Sequence, residues 1–266
     1  MVHKKNGGVS AARNLALRKV RGIWTMFLDG DDTYELNLLS SLFDNMQRGI
    51  IGNDVDALKF GFKQVDEEGN SLHGSVEDEV KREIITKPFN LSPTILWSSF
   101  WTWAYRTSVV RKLQFQNYVV GEDRYFLFDF ISRARVLFVS GLQNGYVYRI
   151  RLNSVTHKKL TLRIFLDDCV YRLSVLRLLS ENDDWASKAW QKDYIYNLVR
   201  SFYRVWLLNK QERKEAWRII FRVNDYLVKY NWLIVLWKVG FRLAANRTFL
   251  FTRVFIKLFQ FIPVNV

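Results

Sequence analysis

At 266 residues, with 49% hydrophobic and 25% charged side chains, the chain is long enough for one or two domains with a real core and too apolar for disorder. Its single cysteine, Cys169, excludes a disulfide framework and fits a reducing compartment, and three scattered histidines (His3, His73, His157) with no C-x-x-C or H-x-x-x-H pair argue against zinc. The net charge of +14 is uneven: residues 151–266 hold 21 Lys and Arg against 9 Asp and Glu, and six of the ten tryptophans, whereas residues 1–150 hold 19 against 17.

The first ten residues are polar and basic and do not read as a signal peptide. Asn6-Gly7-Gly8-Val9-Ser10-Ala11-Ala12-Arg13-Asn14 then reads as a glycine turn, Ser10 as a helix cap, and a helix that stops at Arg21-Gly22. The apolar run 23–28 predicts a buried strand, and it ends abruptly in Asp29-Gly30-Asp31-Asp32. In open α/β sheets ligands bind at the C-terminal edge of such strands. Carboxylates this close repel one another unless a cation sits among them, and a hard ion such as Mg²⁺ or Mn²⁺ suits oxygen ligands and substrate phosphates. The plainer alternative is an acidic turn in which Asp31 or Asp32 caps the next helix.

Residues 37–47 predict a helix, with Leu38, Leu39, Leu42, Phe43 and Met46 at helical spacing and Gly49 at its end. Residues 55–65 read as one strand of alternating character, and Asp66 to Asn70 as a hairpin tip. Residues 75–92 are charged and irregular, punctuated near their end by Pro88 and just beyond it by Pro93. Residues 95–110, with Trp97, Trp101, Trp103 and Tyr105, read as a buried helix and strand. Gly121-Glu122-Asp123 opens a helix with one apolar face, and short strands follow at 136–139 and 146–149.

From residue 160 onward no strand pattern is present. Residues 160–179, 185–208 and 211–228 predict amphipathic helices. Residues 231–261 are more apolar, but no uncharged run reaches the roughly 20 residues a spanning helix needs. Lys238/Arg242 and Arg253/Lys257 are spaced four apart, and Trp232, Leu236, Val239 and Leu243 gather on another face. This is the pattern of a helix lying in a membrane interface, the alternative being a helix packed on its own domain. A basic, aromatic region of this kind suggests an anionic surface as partner.

The N-G-G-x-S-x-A-R-N, F-L-D-x-D-D and G-E-D blocks, in that order, resemble family 2 glycosyltransferases of the GT-A fold. The resemblance covers about residues 4–155, and the first block is its most specific part. It implies an α/β protein, an incomplete Rossmann-like mixed sheet over residues 1–158, followed by a basic helical region over 159–266. It implies that Asp31, supported by Asp29 or Asp32, holds Mn²⁺ or Mg²⁺, and that Asp123 is the general base with Glu122 beside it. Gly7, Gly8, Arg13 and Asn14 would lie near a nucleotide-sugar donor. Trp103 and Arg149 would face the acceptor, with Ser154 trailing Arg149. Direct attack assisted by one base implies inversion at the anomeric carbon.

Members of that family carry strands ahead of the N-G-G block that bind the nucleotide. The sequence starts almost on that block, so we expect the nucleotide-binding front to be missing, which leaves open whether the chain is active alone. The expected activity is sugar transfer to a saccharide or lipid-linked acceptor of the cell envelope, at the inner face of the cell membrane. A remnant or membrane-associated half-protein needing a partner is the non-catalytic alternative. A haloacid-dehalogenase-type phosphatase is a lesser one, because Asp32 stands where its D-x-D-G-T motif needs glycine. No recognition motif supports nucleic-acid binding.

Overall fold

The computed structural model describes residues 3, 5–49, 51–52, 54–72, 83–86, 100–140, 144–151, 160–181, 194, 197–198, 201 and 204–227. The expectations for Trp97, Ser154, most of 185–203 and the interfacial helix of 231–261 lie outside these residues. The chain divides into two compact units. The first is Met1–Lys159 with Asp167–Ile195, and the second is Leu160–Leu166 with Tyr196–Val266.

The first unit is α/β with open mixed sheets. Among the described residues, one sheet runs β1 (Trp24–Met26), β6 (Trp103–Arg106), β3 (Ala57–Lys59), β7 (Val136–Val139), β5 (Glu83–Thr86). The β3–β7 pair is parallel and the others antiparallel. A second sheet runs β2 (Thr33–Tyr34), β8 (Tyr146–Arg149), β4 (Phe62–Val65), with β4–β8 parallel. Strand β3 is central and wholly buried, which is why Ala57-Leu58-Lys59 does not alternate. The single strand expected over 55–65 is in fact β3 and β4, broken at Phe60-Gly61 where the chain changes sheet. Strand β5 lies inside the stretch read as irregular; a four-residue edge strand among charges leaves no periodic signal.

Phe27 anchors the core. Its ring meets Phe100, Tyr105, Phe115 and Phe126 at centroid distances of 5.1, 5.8, 5.4 and 5.5 Å. Phe115 stacks on Phe126 at 3.9 Å. Burying such a ring is worth about 1.5–3 kcal/mol, with up to about 1.5 kcal/mol more per aromatic pair. The residue that begins the acidic loop is therefore pinned, and the carboxylates after it inherit a fixed position.

The helices follow the sequence with three corrections. Helix α1 (Val9–Leu17) is capped by Gly8 at φ +86°, and Ser10 lies inside it, buried, so Ser10 is not the cap. Helix α2 (Leu38–Gln47) buries Leu38 and Leu42 but turns Leu39 and Phe43 outward. After the short helix α3 (Thr107–Val110), helix α4 (Glu122–Arg133) buries every residue from Phe126 to Ile131, so it has no single apolar face. Asp129, buried in that run, is met by Arg133 one turn on at 3.0 Å. Helix α5 (Leu162–Glu181) contributes Tyr171, Val175 and Leu179 to the core of the first unit. Most of α5 thus groups with the first unit, through Asp167–Ile195. Cys169 is buried on α5, as a small hydrophobe would be.

In the second unit, helix α6 (Lys210–Leu227) opens on a reciprocal capping box. The Glu212 amide donates to Asn209 Oδ1 at 3.0 Å, and Glu212 Oε2 accepts from the Asn209 amide at 3.4 Å. Trp206 and Trp217 meet edge to face at 6.1 Å, with Arg213 over Trp206. No helix among the described residues is long and apolar enough to cross a membrane.

Candidate active site

The acidic loop leaves one sheet at β1 and enters the other at β2, so the segment 27–32 bridges the two. Pairing of β2 with β8 brings Tyr146 beneath it. The Tyr146 hydroxyl donates to Asp32 Oδ2 at 2.7 Å and accepts from the Asp29 amide at 3.3 Å. The Arg149 amide donates to Asp32 Oδ1 at 2.8 Å. Asp32 is therefore a buried acceptor that closes the loop onto β8. Its burial raises its pKa; the two hydrogen bonds oppose that rise, while Asp31 and Asp29 add to it. Trp101 stacks on Tyr146 at 4.1 Å and lies parallel to Tyr148 at 5.5 Å, since residues two apart on a strand share a face.

Arg13 joins the three sequence blocks. Its guanidinium donates to Asp29 Oδ1 at 2.7 Å and to Glu122 Oε1 at 3.1 Å. The same group lies 4.5 Å from the Phe100 centroid and 5.3 Å from that of Phe115. Arg13 and Glu122 side chains are each 13% exposed. Asn14, next in sequence, clamps the Phe115 backbone: its amide donates to the carbonyl at 2.8 Å and its oxygen accepts from the N–H at 2.8 Å. Asn14 is thus engaged in holding α1 to the loop after α3. Gly7 and Gly8 are exposed beside it.

Gly121, at φ +83°, turns the chain into α4 and sets Glu122 and Asp123 in its first turn, where the helix dipole favours negative charge. Asp123 Oδ1 accepts from the Arg124 amide at 2.7 Å. Burial pushes Glu122 up to about 7, Asp123 adds to the rise, and Arg13 opposes it without cancelling it. A carboxylate whose folded-state pKa exceeds its unfolded value holds its proton better when folded. Stability then falls as pH climbs from about 4.5 to about 7 and is level above that. Relative to Glu122→Gln, wild type is expected to lose about 3 kcal/mol of unfolding free energy across that window. Urea melts of both proteins from pH 4 to 8 check this.

The three carboxylates of the acidic loop have separate tasks. Asp29 pairs with Arg13, Asp32 is buried against β8, and Asp31, with a side chain 40% exposed, meets Arg151 Nε at 3.6 Å. Among the described residues no three His, Cys, Asp or Glu side chains form a group able to hold a metal ion. Trp103 is fully buried on β6, with no ring face exposed to an acceptor. The Arg149 side chain reaches the hairpin carbonyls of Glu67 at 2.5 Å and Asp66 at 3.5 Å. Trp103 therefore offers no face for a sugar to stack on, and the Arg149 side chain is engaged by the hairpin. Tyr146, Phe100, Phe115 and Arg151 are site residues that the sequence did not single out; only the Tyr-x-Tyr alternation on β8 hinted at Tyr146. Tyr146→Phe removes one donor to a buried carboxylate and is expected to lower stability by about 1–3 kcal/mol, read from denaturant midpoints.

Residues 1–114 match the model of "Glycosyl transferase family 2". The match covers 114 of the 266 residues. The chain is 27% identical over 169 residues to "Uncharacterized glycosyltransferase EpsJ" of Bacillus subtilis (strain 168), covering 59% of this chain and 46% of that protein. It is 33% identical over 98 residues to an "Uncharacterized glycosyltransferase" of Rickettsia bellii (strain RML369-C), covering 35% of this chain and 14% of that one. The chain thus spans less than half the length of these curated relatives. Its fold is similar to the crystal structure of S. aureus TarS 1-349 in complex with UDP-GlcNAc, with a TM-score of 0.65 at 14% identity over 97% of this chain and 74% of that one. The UDP complex of the same protein gives 0.56 at 16% identity over 79% and 57%.

Proposed function

We propose that the chain carries the acidic loop and base of an inverting glycosyltransferase that takes a nucleotide-sugar donor. The observation that carries this reading is Arg13, whose two ion pairs draw the D-G-D-D and G-E-D blocks to one place. The match of residues 1–114 to a glycosyl transferase family supports a transferase, and TarS, a structural neighbour, binds UDP-GlcNAc and UDP.

Asp123, in the first turn of α4, takes the proton of the acceptor hydroxyl as it attacks, giving inversion in a single displacement. Glu122, held by Arg13, orients the acceptor or raises the basicity of Asp123. Asp31 fits a divalent cation. It is half-exposed, its one ion pair is long, and Mg²⁺ or Mn²⁺ ordinarily takes one or two carboxylates together with substrate phosphates. A bound cation would neutralise charge on the departing diphosphate. Asp29 and Asp32 act by fixing the loop that presents Asp31. Gly7, Gly8 and Arg13 border the donor.

The acceptor is a saccharide or lipid-linked glycan of the cell envelope, and the basic, tryptophan-rich end holds the protein at the inner face of the membrane. Vesicles of anionic lipid test that placement: no sedimentation of the chain with them at moderate salt would remove it.

The decisive experiment assays a panel of nucleotide sugars with Mn²⁺ for donor hydrolysis and transfer. Turnover that is lost in Asp31→Ala and in Asp123→Asn supports the reading. Turnover that survives both substitutions defeats it.

A further inference from the structure

We propose that helix α5, which lies outside the matched family segment, sets the position of Asp123. The inference rests on the base role proposed above. Three contacts carry it, all within the first unit. Asp167, buried on α5, accepts the Val119 amide at 2.8 Å. Tyr171, one turn on, lies so close to Gly121 that a Cβ there would stand 2.1 Å from its Cδ1. Arg124, directly after Asp123, is hydrogen-bonded to the Tyr194 side chain.

Asp167 and Tyr171 are four residues apart and share a face of α5. Together with Tyr194 they grip the chain at positions 119, 121 and 124, on both sides of Asp123. An amide bound to a buried carboxylate is a charge-assisted and therefore strong hydrogen bond. The Tyr171 ring fills the space that a side chain at 121 would take, so the left-handed turn at Gly121 is backed by packing as well as by its own geometry. A base does its work only within hydrogen-bond reach of the proton it removes, and a misplacement near 1 Å lowers rate by about 100-fold. Asp167 and Tyr171 are thus positioning residues, supplied by a helix that the sequence assigns to the C-terminal region.

The test uses the full chain with Asp167→Ala and Tyr171→Ala, and with Asp167→Asn and Tyr171→Phe as conservative partners. Hydrogen exchange is followed at residues 119–125, with β1 and α1 as internal references. Steady-state kcat and donor KM are measured in parallel. The alanine variants are expected to exchange on the order of tenfold faster at 119–123, with reference rates unchanged. Their kcat should fall by roughly 100-fold at constant donor KM. The conservative variants should stay close to wild type, because Asn still accepts the amide and Phe still fills the space.

Unchanged exchange in both alanine variants overturns the proposal, whether or not the chain transfers sugar. Faster exchange with an unchanged kcat overturns it as well. With a wild-type chain that turns over no donor, the exchange data alone decide whether α5 holds the loop. Should Tyr171→Ala unfold throughout, Asp167→Ala, which removes an acceptor and little volume, carries the test.

Discussion

Arg13→Ala is expected to unfold at a much lower denaturant concentration than wild type, with a loss of about 3–5 kcal/mol, and to turn over no donor. The size follows from what remains. Arg13 is almost fully enclosed, and it holds Asp29 and Glu122 through its two terminal nitrogens. Its removal leaves Glu122 buried beside Asp123 with its nearest cation gone, and empties a space lined by Phe100 and Phe115. The remaining carboxylate would take up a proton more readily, so the variant should be most impaired above neutral pH. Arg13→Lys should rescue poorly. An ammonium has three donors but all on one nitrogen and no flat face, so it cannot reach both carboxylates from separate nitrogens while stacking on the aromatic rings, as the guanidinium does. Urea unfolding at pH 5 and pH 8, with donor turnover at pH 8, checks each part; full stability of Arg13→Ala would show that the ion pairs contribute nothing.

Gly121→Ala is the second large effect. Two independent costs add at this position. The residue sits at φ +83°, where an L side chain is disfavoured by about 1 kcal/mol. The new Cβ would also stand 2.1, 2.4 and 2.5 Å from Cδ1, Cγ and Cε1 of Tyr171. Those are ring atoms of a buried side chain, so the clash can be relieved only by moving α5 or the start of α4. Overpacking of this kind costs about 1–3 kcal/mol, which brings the total to about 2–4 kcal/mol. The double variant Gly121→Ala/Tyr171→Ala should recover part of what the glycine change alone loses, because the clash disappears and the backbone cost stays. Thermal melts of the two singles and the double provide the coupling; strict additivity would show that ring and glycine do not meet.

Helix α1, the strand that feeds the acidic loop, α2, β7, β8, α5 and α6 were legible because each carries a run of apolar residues at its own period, or a glycine stop. Strand β5 was not, since four residues between charges hold too little periodicity. The break between β3 and β4 was hidden for a related reason. A buried central strand and its neighbour read as one apolar run, and only the pairing partners reveal that the chain has changed sheet. Ser10 illustrates a third limit. Its residue type favours a cap, but Gly8 already supplies the conformation that opens the helix, so the serine falls two residues too late.

The site divides along the same line. By itself the sequence singled out the carboxylates and their order along the chain: Asp29, Asp31 and Asp32 after an apolar strand, and Glu122 and Asp123 after a glycine. Local chemistry suffices for that, because a short strand, a turn and a helix start are each encoded by neighbours. Only the tertiary structure decided what each carboxylate does. Asp29 and Glu122 are 93 positions apart in sequence and share one guanidinium. Asp32 is consumed by Tyr146, 114 positions away, while Asp31 is left facing outward. Trp103 and Arg149 were assigned to an acceptor face by motif position, yet one is sealed in the sheet and the other bonds a hairpin. Burial and partner choice are set by which strands pair and which rings fill the core, and those are properties of the whole packed unit, with no trace in any local stretch of sequence.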